Sequence, residues 1–283
     1  MALTINTNMA SLLVQQNLDK ATTALNKSIQ RMTTGYKINS AADDAAGYTV
    51  SSSMQTQLGS ISVCQDNVAI GTSLLSTAES NYDLIQTHLQ RIRDLTEEAS
   101  NGTYGTDSLN AITTEISARY AEIDRISSST DYNGINLLNG SQSTGINIKA
   151  GTTSSANSSI SLESNIFQAA NTSALTGVTK ATFLGYYASG SSNYSAALRV
   201  VDTALDKVTA RQTSIGAYQN TLDSASDTLD TQYSNVTSSL STIRDTDVAA
   251  ESSQYIKAQI LQQASASLLA TANQSPSIAL NLI

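Results

Sequence analysis

The side chains in this sequence with the means to do acid–base chemistry are carboxylates, and three places bring two of them together: Asp43-Asp44, Glu97-Glu98, and Asp245 with Asp247. A working acid and base need surroundings that push their pKa values apart, and no cation cluster or apolar pocket accompanies any of these pairs. They read as helix caps and solvated charge. The single histidine, His88, rules out the two-histidine H-E-x-x-H zinc motif and is expected on a helix surface. The single cysteine, Cys64, cannot form an internal disulfide or supply the paired spacing of a zinc site. No Gly-rich phosphate loop follows a strand pattern. The glycosylation-like triplets beginning at Asn101 and Asn157 are expected by chance at this Ser/Thr content. No catalytic, cofactor-binding or metal-ligating residue follows from the sequence.

Composition narrows the classes further. The formal net charge is −8 and the pI is about 4.5. Binding to nucleic acid needs clustered Lys and Arg that release counterions, and no basic patch is visible. Aromatic residues make up 5% of the chain, with no Trp and two Phe, which argues for thin packed helices over a thick globular core. The first twenty residues carry no cation before Lys20 and no apolar run long enough for a secretory signal. No segment spans a membrane by its composition. The expectation is a protein that stays in the cytoplasm or leaves by a route without a cleaved signal.

Two heptad seams set the architecture that any functional residue must sit on. In the first, Ile61, Cys64, Val68, Gly71, Leu75, Ala78, Tyr82, Ile85, Leu89 and Ile92 follow one another at alternating steps of three and four. The second runs from Leu198 and Val201 through Leu205, Val208, Gln212, Ile215, Gln219, Leu222, Ser226, Leu229, Tyr233, Val236 and Leu240 to Ile243. Such spacing puts one narrow apolar stripe on a helix, which only another helix alongside can cover. At ~1.5 Å per residue the second seam is roughly 70 Å long, a rod. Cys64 falls on a seam and is expected to act as a small buried hydrophobe.

Around these seams a helix is predicted from near Ser11 to the turn-rich Gly35–Ala46 region, with INSAADDAAGY as a linker and a second helix from about residue 50 to Ala99. A third is predicted with Asp107 or Ser108 as its cap. INIKAG and SSISLE alternate apolar and polar residues, predicting a β-hairpin near 146–162. Residues 163–193 show no firm pattern. After RDTDVAAES, another small-residue hinge, a last helix is predicted to stop at Pro276, the only proline. That helix is apolar over more than one stripe at Ile256, Ile260, Leu261, Leu268 and Leu269. Either both chain ends dock within a four-helix bundle, or neighbouring copies cover them and assembly completes their folding.

The blocks INTN, LNKSIQRMTTGYKINSAADDAAG, LQRIRDL, EISARYAEIDRI, DYNGINLLNG and AQILQQASASLLATANQ, in that order, resemble bacterial flagellin. The resemblance covers nearly the whole chain except about 150–195. It implies a mainly α fold: a long antiparallel helical coiled-coil or bundle formed by the N- and C-terminal halves, with a small β-hairpin region. It implies an inner domain from 1–43 and 244–283, a rod domain over 44–243, and a short variable insert at 141–195 in place of large outer domains. The implied function is a structural, non-enzymatic subunit that polymerises into the flagellar filament for motility. The implied partners are further copies of the chain, the filament cap, hook–filament junction proteins and an export chaperone. Export would run unfolded through the flagellum's own channel to the extracellular filament.

The resemblance also implies contact residues for the vertebrate innate-immune receptor TLR5, at Gln90, Arg91, Leu95 and Glu115. Arg91 and Leu95 stand four apart and are expected to project outward together. Thr96-Glu97-Glu98 is more acidic than the family pattern at that place. An assembly and chaperone helix is implied around Ile260, Leu261, Leu268 and Leu269. No cofactor is implied. Two other readings remain at this point: a hook–filament junction protein, and a soluble coiled-coil binding module.

Overall fold

The computed structural model describes residues 7–153, 158–187 and 193–280, with 275–280 described by backbone alone. Asn157 and part of the unpatterned 163–193 stretch lie outside the described residues. The elements in chain order are α1 (Met9–Thr34), α2 (Ala45–Ala99), α3 (Thr106–Ser129), β1 (Asp131–Tyr132), β2 (Ile135–Asn136), β3 (Ile146–Lys149) and β4 (Ser159–Leu162). A 3₁₀ turn (Ser164–Phe167), α4 (Thr172–Thr176), α5 (Lys180–Gly185), α6 (Tyr194–Arg244) and α7 (Val248–Leu280) complete it. The chain divides into two compact units, one of Met1–Leu58 with Ser234–Ile283 and the other of Gly59–Tyr233. Each is described on its own.

In the unit of the chain ends, α1 and α7 run antiparallel. Arg31 pairs with Glu251 at 3.4 Å, Gln262 donates to Thr22 at 3.2 Å, and Ser11 donates to Asn273 at 2.7 Å. The residues the pair buries are mostly small: Ala21 and Ser28 on α1, and Ala258 and Ser265 on α7, in one heptad line with the ion-paired Glu251. Small residues let the two backbones approach closely but remove little apolar area from water. Gly35 ends α1 in the left-handed region at φ 76, and its carbonyl accepts from Thr246 N at 2.8 Å. Lys37 N donates to the Arg244 carbonyl at 2.7 Å, and the Arg244 guanidinium lies 4.0 Å above the Tyr36 ring. The α1–α2 and α6–α7 turns therefore hold each other.

In the second unit, α2 and α6 are antiparallel partners. Gln65 donates to Asp230 at 2.6 Å, Gln219 to Glu79 at 2.8 Å, and Arg93 to Asp202 at 2.8 Å. Every position of the first seam is buried, from Ile61 to Ile92, Cys64 included. The antiparallel β3–β4 hairpin pairs Ile146 with Leu162 and Lys149 with Ser159, where the alternation predicts it. The Ile148 side chain of the hairpin packs against Gly71, in the space that a Cβ there would take, so a larger residue at this seam position would have to shift the Ile148 side chain.

Four local expectations are corrected. The third helix starts at Thr106, with Gly105 in extended geometry at the cap position and no side-chain cap. Asp107 sits inside the first turn, where its charge meets the positive helix end. The 163–193 stretch, patternless because its turns are short, holds the 3₁₀ turn, α4 and α5, anchored by buried Phe167, Leu175 and Phe183. Along α6 the fully buried lines are Ala197, Ala204 and Arg211 with Val201, Val208, Ile215, Leu222 and Leu229. Leu198 and Leu205 are half-buried flank positions, and Tyr233 is exposed. Alanine wins the close contact because it lets the helices approach. Finally, α7 does not stop at Pro276 but continues to Leu280.

A candidate assembly surface

The four residues singled out on the last helix, Ile260, Leu261, Leu268 and Leu269, lie on α7. Ile260, Leu261 and Leu268 are 59%, 49% and 57% exposed, and Leu269 is half-buried. They have company within the same unit. Met9, Leu12, Leu13, Ile29 and Met32 on α1, and Val248 and Ile256 on α7, are all exposed large apolar side chains. The exposed large apolar residues of the other unit are Val63, Ile70, Leu84 and Tyr233. A groove of about 690 Å³ runs between α1 and α7, lined by Ala21, Ala24, Ser28, Ala258, Leu261 and Leu268 among others. Many large apolar side chains of both helices face water, while others, Val14, Leu18, Leu25 and Leu269 among them, are only half-buried. Two helices alone do not cover this apolar area, which leaves it for further helices to cover.

The second predicted set sits where α2 and α3 pass each other antiparallel. Arg91 donates from Nε and Nη2 to the Glu115 carboxylate at 3.0 and 3.4 Å, and Arg119 reaches the same carboxylate at 3.3 Å. The Arg91 hydrogen bond, followed by that of Arg119, holds the Glu115 carboxyl below its ordinary range. Gln90 is exposed beside them. Leu95 corrects the expectation that it projects with Arg91, since it is 2% exposed. One heptad seam is too narrow a description of α2 here, where Leu95 and Thr96 are both buried.

His88 is half-buried, with Nδ1 3.3 Å from Arg119 Nη1. Burial and the nearby Arg119 charge hold its pKa below the ordinary value. Beneath this corner Tyr187 shares a 2.6 Å hydrogen bond with Thr96, and burial pushes its phenol up to about 12.

Sequence patterning misses Arg211. The residue is 9% exposed, and its Nη1 donates to Tyr82 Oη at 3.3 Å and to the carbonyls of Gln168 and Ala169 at 3.1 Å each. Tyr82 Oη in turn donates to the Ile166 carbonyl at 2.9 Å. The signal available was its place in the heptad line of Ala197 and Ala204, which a search for apolar residues passes over. Among the described residues no cluster of His, Cys, Asp and Glu could hold a metal, and no helix is long and apolar enough to cross a membrane.

The family pattern of the bacterial flagellin N-terminal helical region matches residues 5–143, and that of the C-terminal helical region matches residues 198–283. The flagellin of Bacillus subtilis is 34% identical over 304 positions, covering 99% of both chains. The flagellar filament core protein FlaB2 of Brachyspira hyodysenteriae is 33% identical over 285 positions, again covering 99% of each. A solved Vibrio parahaemolyticus structure, described as a flagellar hook-associated protein, is similar with a TM-score of 0.61 at 17% identity. It covers 72% of this chain and 100% of that one, and the likeness is one of fold.

Long antiparallel helices with an uncovered apolar surface define a structural protein that assembles through helix packing. The chain belongs to the bacterial flagellin family, in a minimal form, and is a subunit that self-assembles into the flagellar filament. The family is structural and not enzymatic.

Proposed function

We propose that the chain ends, residues 1–43 and 244–283, form the inner terminal-helix domain of the filament core, with 44–243 as a rod domain and 141–195 as a short variable insert within it. The observation that carries this reading is the set of exposed large apolar side chains on α1 and α7 that the two helices do not cover for each other. Apolar area of this kind stabilises by about 25 cal/mol per Å² once removed from water, and copies of the same helices are the available cover. Export proceeds by the flagellar channel to the extracellular filament, with an export chaperone holding the helix of Ile260, Leu261, Leu268 and Leu269 beforehand. Cap and junction proteins meet the same ends. Gln90, Arg91, Leu95 and Glu115 contact TLR5, with Leu95 supporting the surface from beneath. Deleting 1–43 or 244–283 tests the central part: each truncation is expected to remain helical and form no filaments by electron microscopy. Normal filaments from either would refute it.

A further inference from the structure

Lys207 and Arg211, one turn apart on α6, line a pocket of about 270 Å³ together with Asn165, Gln168 and Ser214. Lys207 Nζ donates to the carbonyls of Ala174 and Leu175 at 3.1 and 2.8 Å. Arg211 spends Nη1 on the carbonyls of Gln168 and Ala169 and on Tyr82 Oη. Its Nε and Nη2 have no protein partner among the described residues, and neither is a sealed, unsatisfied atom, so this edge of the guanidinium opens to the pocket. None of the ion pairs among the described residues includes Lys207 or Arg211. The neighbouring carboxylate, Glu163, accepts from Asn165 at 3.0 Å and does not line the pocket.

Two cations in a chain of net charge −8, one of them nine-tenths buried, are thus met only by neutral oxygens. Carbonyl dipoles soften the cost of burying a charge without cancelling it, and a fixed guanidinium fork is shaped for two oxygens of one anion. The volume holds a carboxylate or a tetrahedral oxyanion with a few waters at roughly 30 Å³ each.

We propose that the pocket beneath Lys207 and Arg211 is an oxyanion-binding site. The Arg211 Nε–Nη2 edge holds two oxygens of the anion, Lys207 supplies the second charge, and Asn165, with one amide hydrogen beyond its bond to Glu163, supplies a neutral donor. The oxyanion comes either from solution, as phosphate or sulfate, or from an Asp or Glu side chain of a second copy. The inference stands on this pocket alone and does not depend on how the chain ends assemble.

The test uses the full-length monomer, titrated with sulfate, phosphate or acetate against chloride at matched ionic strength. The Arg Nε–Hε NMR resonance of residue 211 and the thermal midpoint are followed together. At least one oxyanion is expected to give a saturable shift of that resonance with a rise in Tm. Lys207→Met, which retains Arg211 and its carbonyl bonds, is expected to weaken the response about tenfold, the scale of one charge-assisted hydrogen bond. Repeating the titration on filaments separates the sources: retained binding assigns the site to a free anion, and binding lost on polymerisation assigns it to a neighbour's carboxylate. No saturable response to any of the three anions, or a response unchanged in Lys207→Met, would overturn the proposal.

Discussion

Asn8 Nδ2 donates at 2.8 Å to the backbone carbonyl of Ala272, the carbonyl four positions before Pro276. Proline has no N–H with which to serve that acceptor, and α7 nevertheless remains helical to Leu280. The same Asn8 side chain accepts from Ser11 N at 3.0 Å and so caps α1. One residue therefore satisfies the start of one end helix and the gap in the other. Asn8→Ala is expected to destabilise the unit of the chain ends by about 1–2 kcal/mol, from the lost cap and the unmet carbonyl. In a Pro276→Ala background, where a backbone N–H returns, that cost should shrink. A double-mutant cycle by thermal unfolding reads the coupling, and strictly additive effects would contradict it.

The Arg91–Glu115 pair is 45% and 36% exposed at the side chains. Exposed pairs contribute about 0–1 kcal/mol, so Glu115→Ala should leave the thermal midpoint nearly unchanged. Leu95→Ala is different. Removing a buried leucine costs about 2–5 kcal/mol, and the midpoint should fall by several degrees. A receptor-reporter assay on both variants, read beside their melting curves, checks this: loss of signal in Glu115→Ala with intact stability supports a direct contact. An unchanged signal there would remove Glu115 from the contact surface.

Asp43 anchors the turn between α1 and α2. It pairs with Lys27 at 2.8 Å and accepts from Asn39 N and Ser40 N. Chiefly because of the Lys27 hydrogen bond, its carboxyl is held down to about 2. A depressed folded-state pKa stabilises above the unfolded value of about 3.9, and that contribution is lost as pH falls toward 2. Amide exchange at Asn39 and Ser40 should accelerate over that window beyond the intrinsic pH trend. Asp43→Asn should abolish the excess, and an identical pH response in the variant would contradict this role.

How much of this was legible in the sequence depends on whether a contact repeats. The first seam repeats and is legible position by position; the β3–β4 hairpin repeats at period two and is legible as well. On α6 the period was right while the buried flank was misassigned, because Leu198 and Leu205 outrank Ala197 and Ala204 in hydropathy but not in how closely they let helices pack. Arg211 carried no apolar signal, and its partners at residues 168 and 169 lie in a stretch without periodicity. The rescue of Ala272 by Asn8 joins residues 264 apart and has no local pattern to announce it. Leu95 escapes the seam because a seam describes one neighbour and α2 has more than one.

Arg211→Met should cost more than any exposed ion pair, on the order of 1–3 kcal/mol, since it leaves the part-buried carbonyls of Gln168 and Ala169 and the buried Tyr82 hydroxyl without this donor. Urea unfolding of the full chain measures it. A loss under about 0.5 kcal/mol, the range of an inconsequential surface change, would mean that water replaces the guanidinium.

The most direct test of the account replaces two exposed residues of α7, Ile260→Asn with Leu268→Asn, in the full-length chain and follows seeded polymerisation by light scattering and electron microscopy. Both side chains face solvent in the single chain, so far-UV circular dichroism and the melting midpoint of the monomer should stay close to those of the parent. Two side chains at about 1.5–3 kcal/mol each imply a critical concentration raised at least a hundredfold. Filaments growing at the parent's concentration and rate would contradict the claim that neighbouring copies cover this surface.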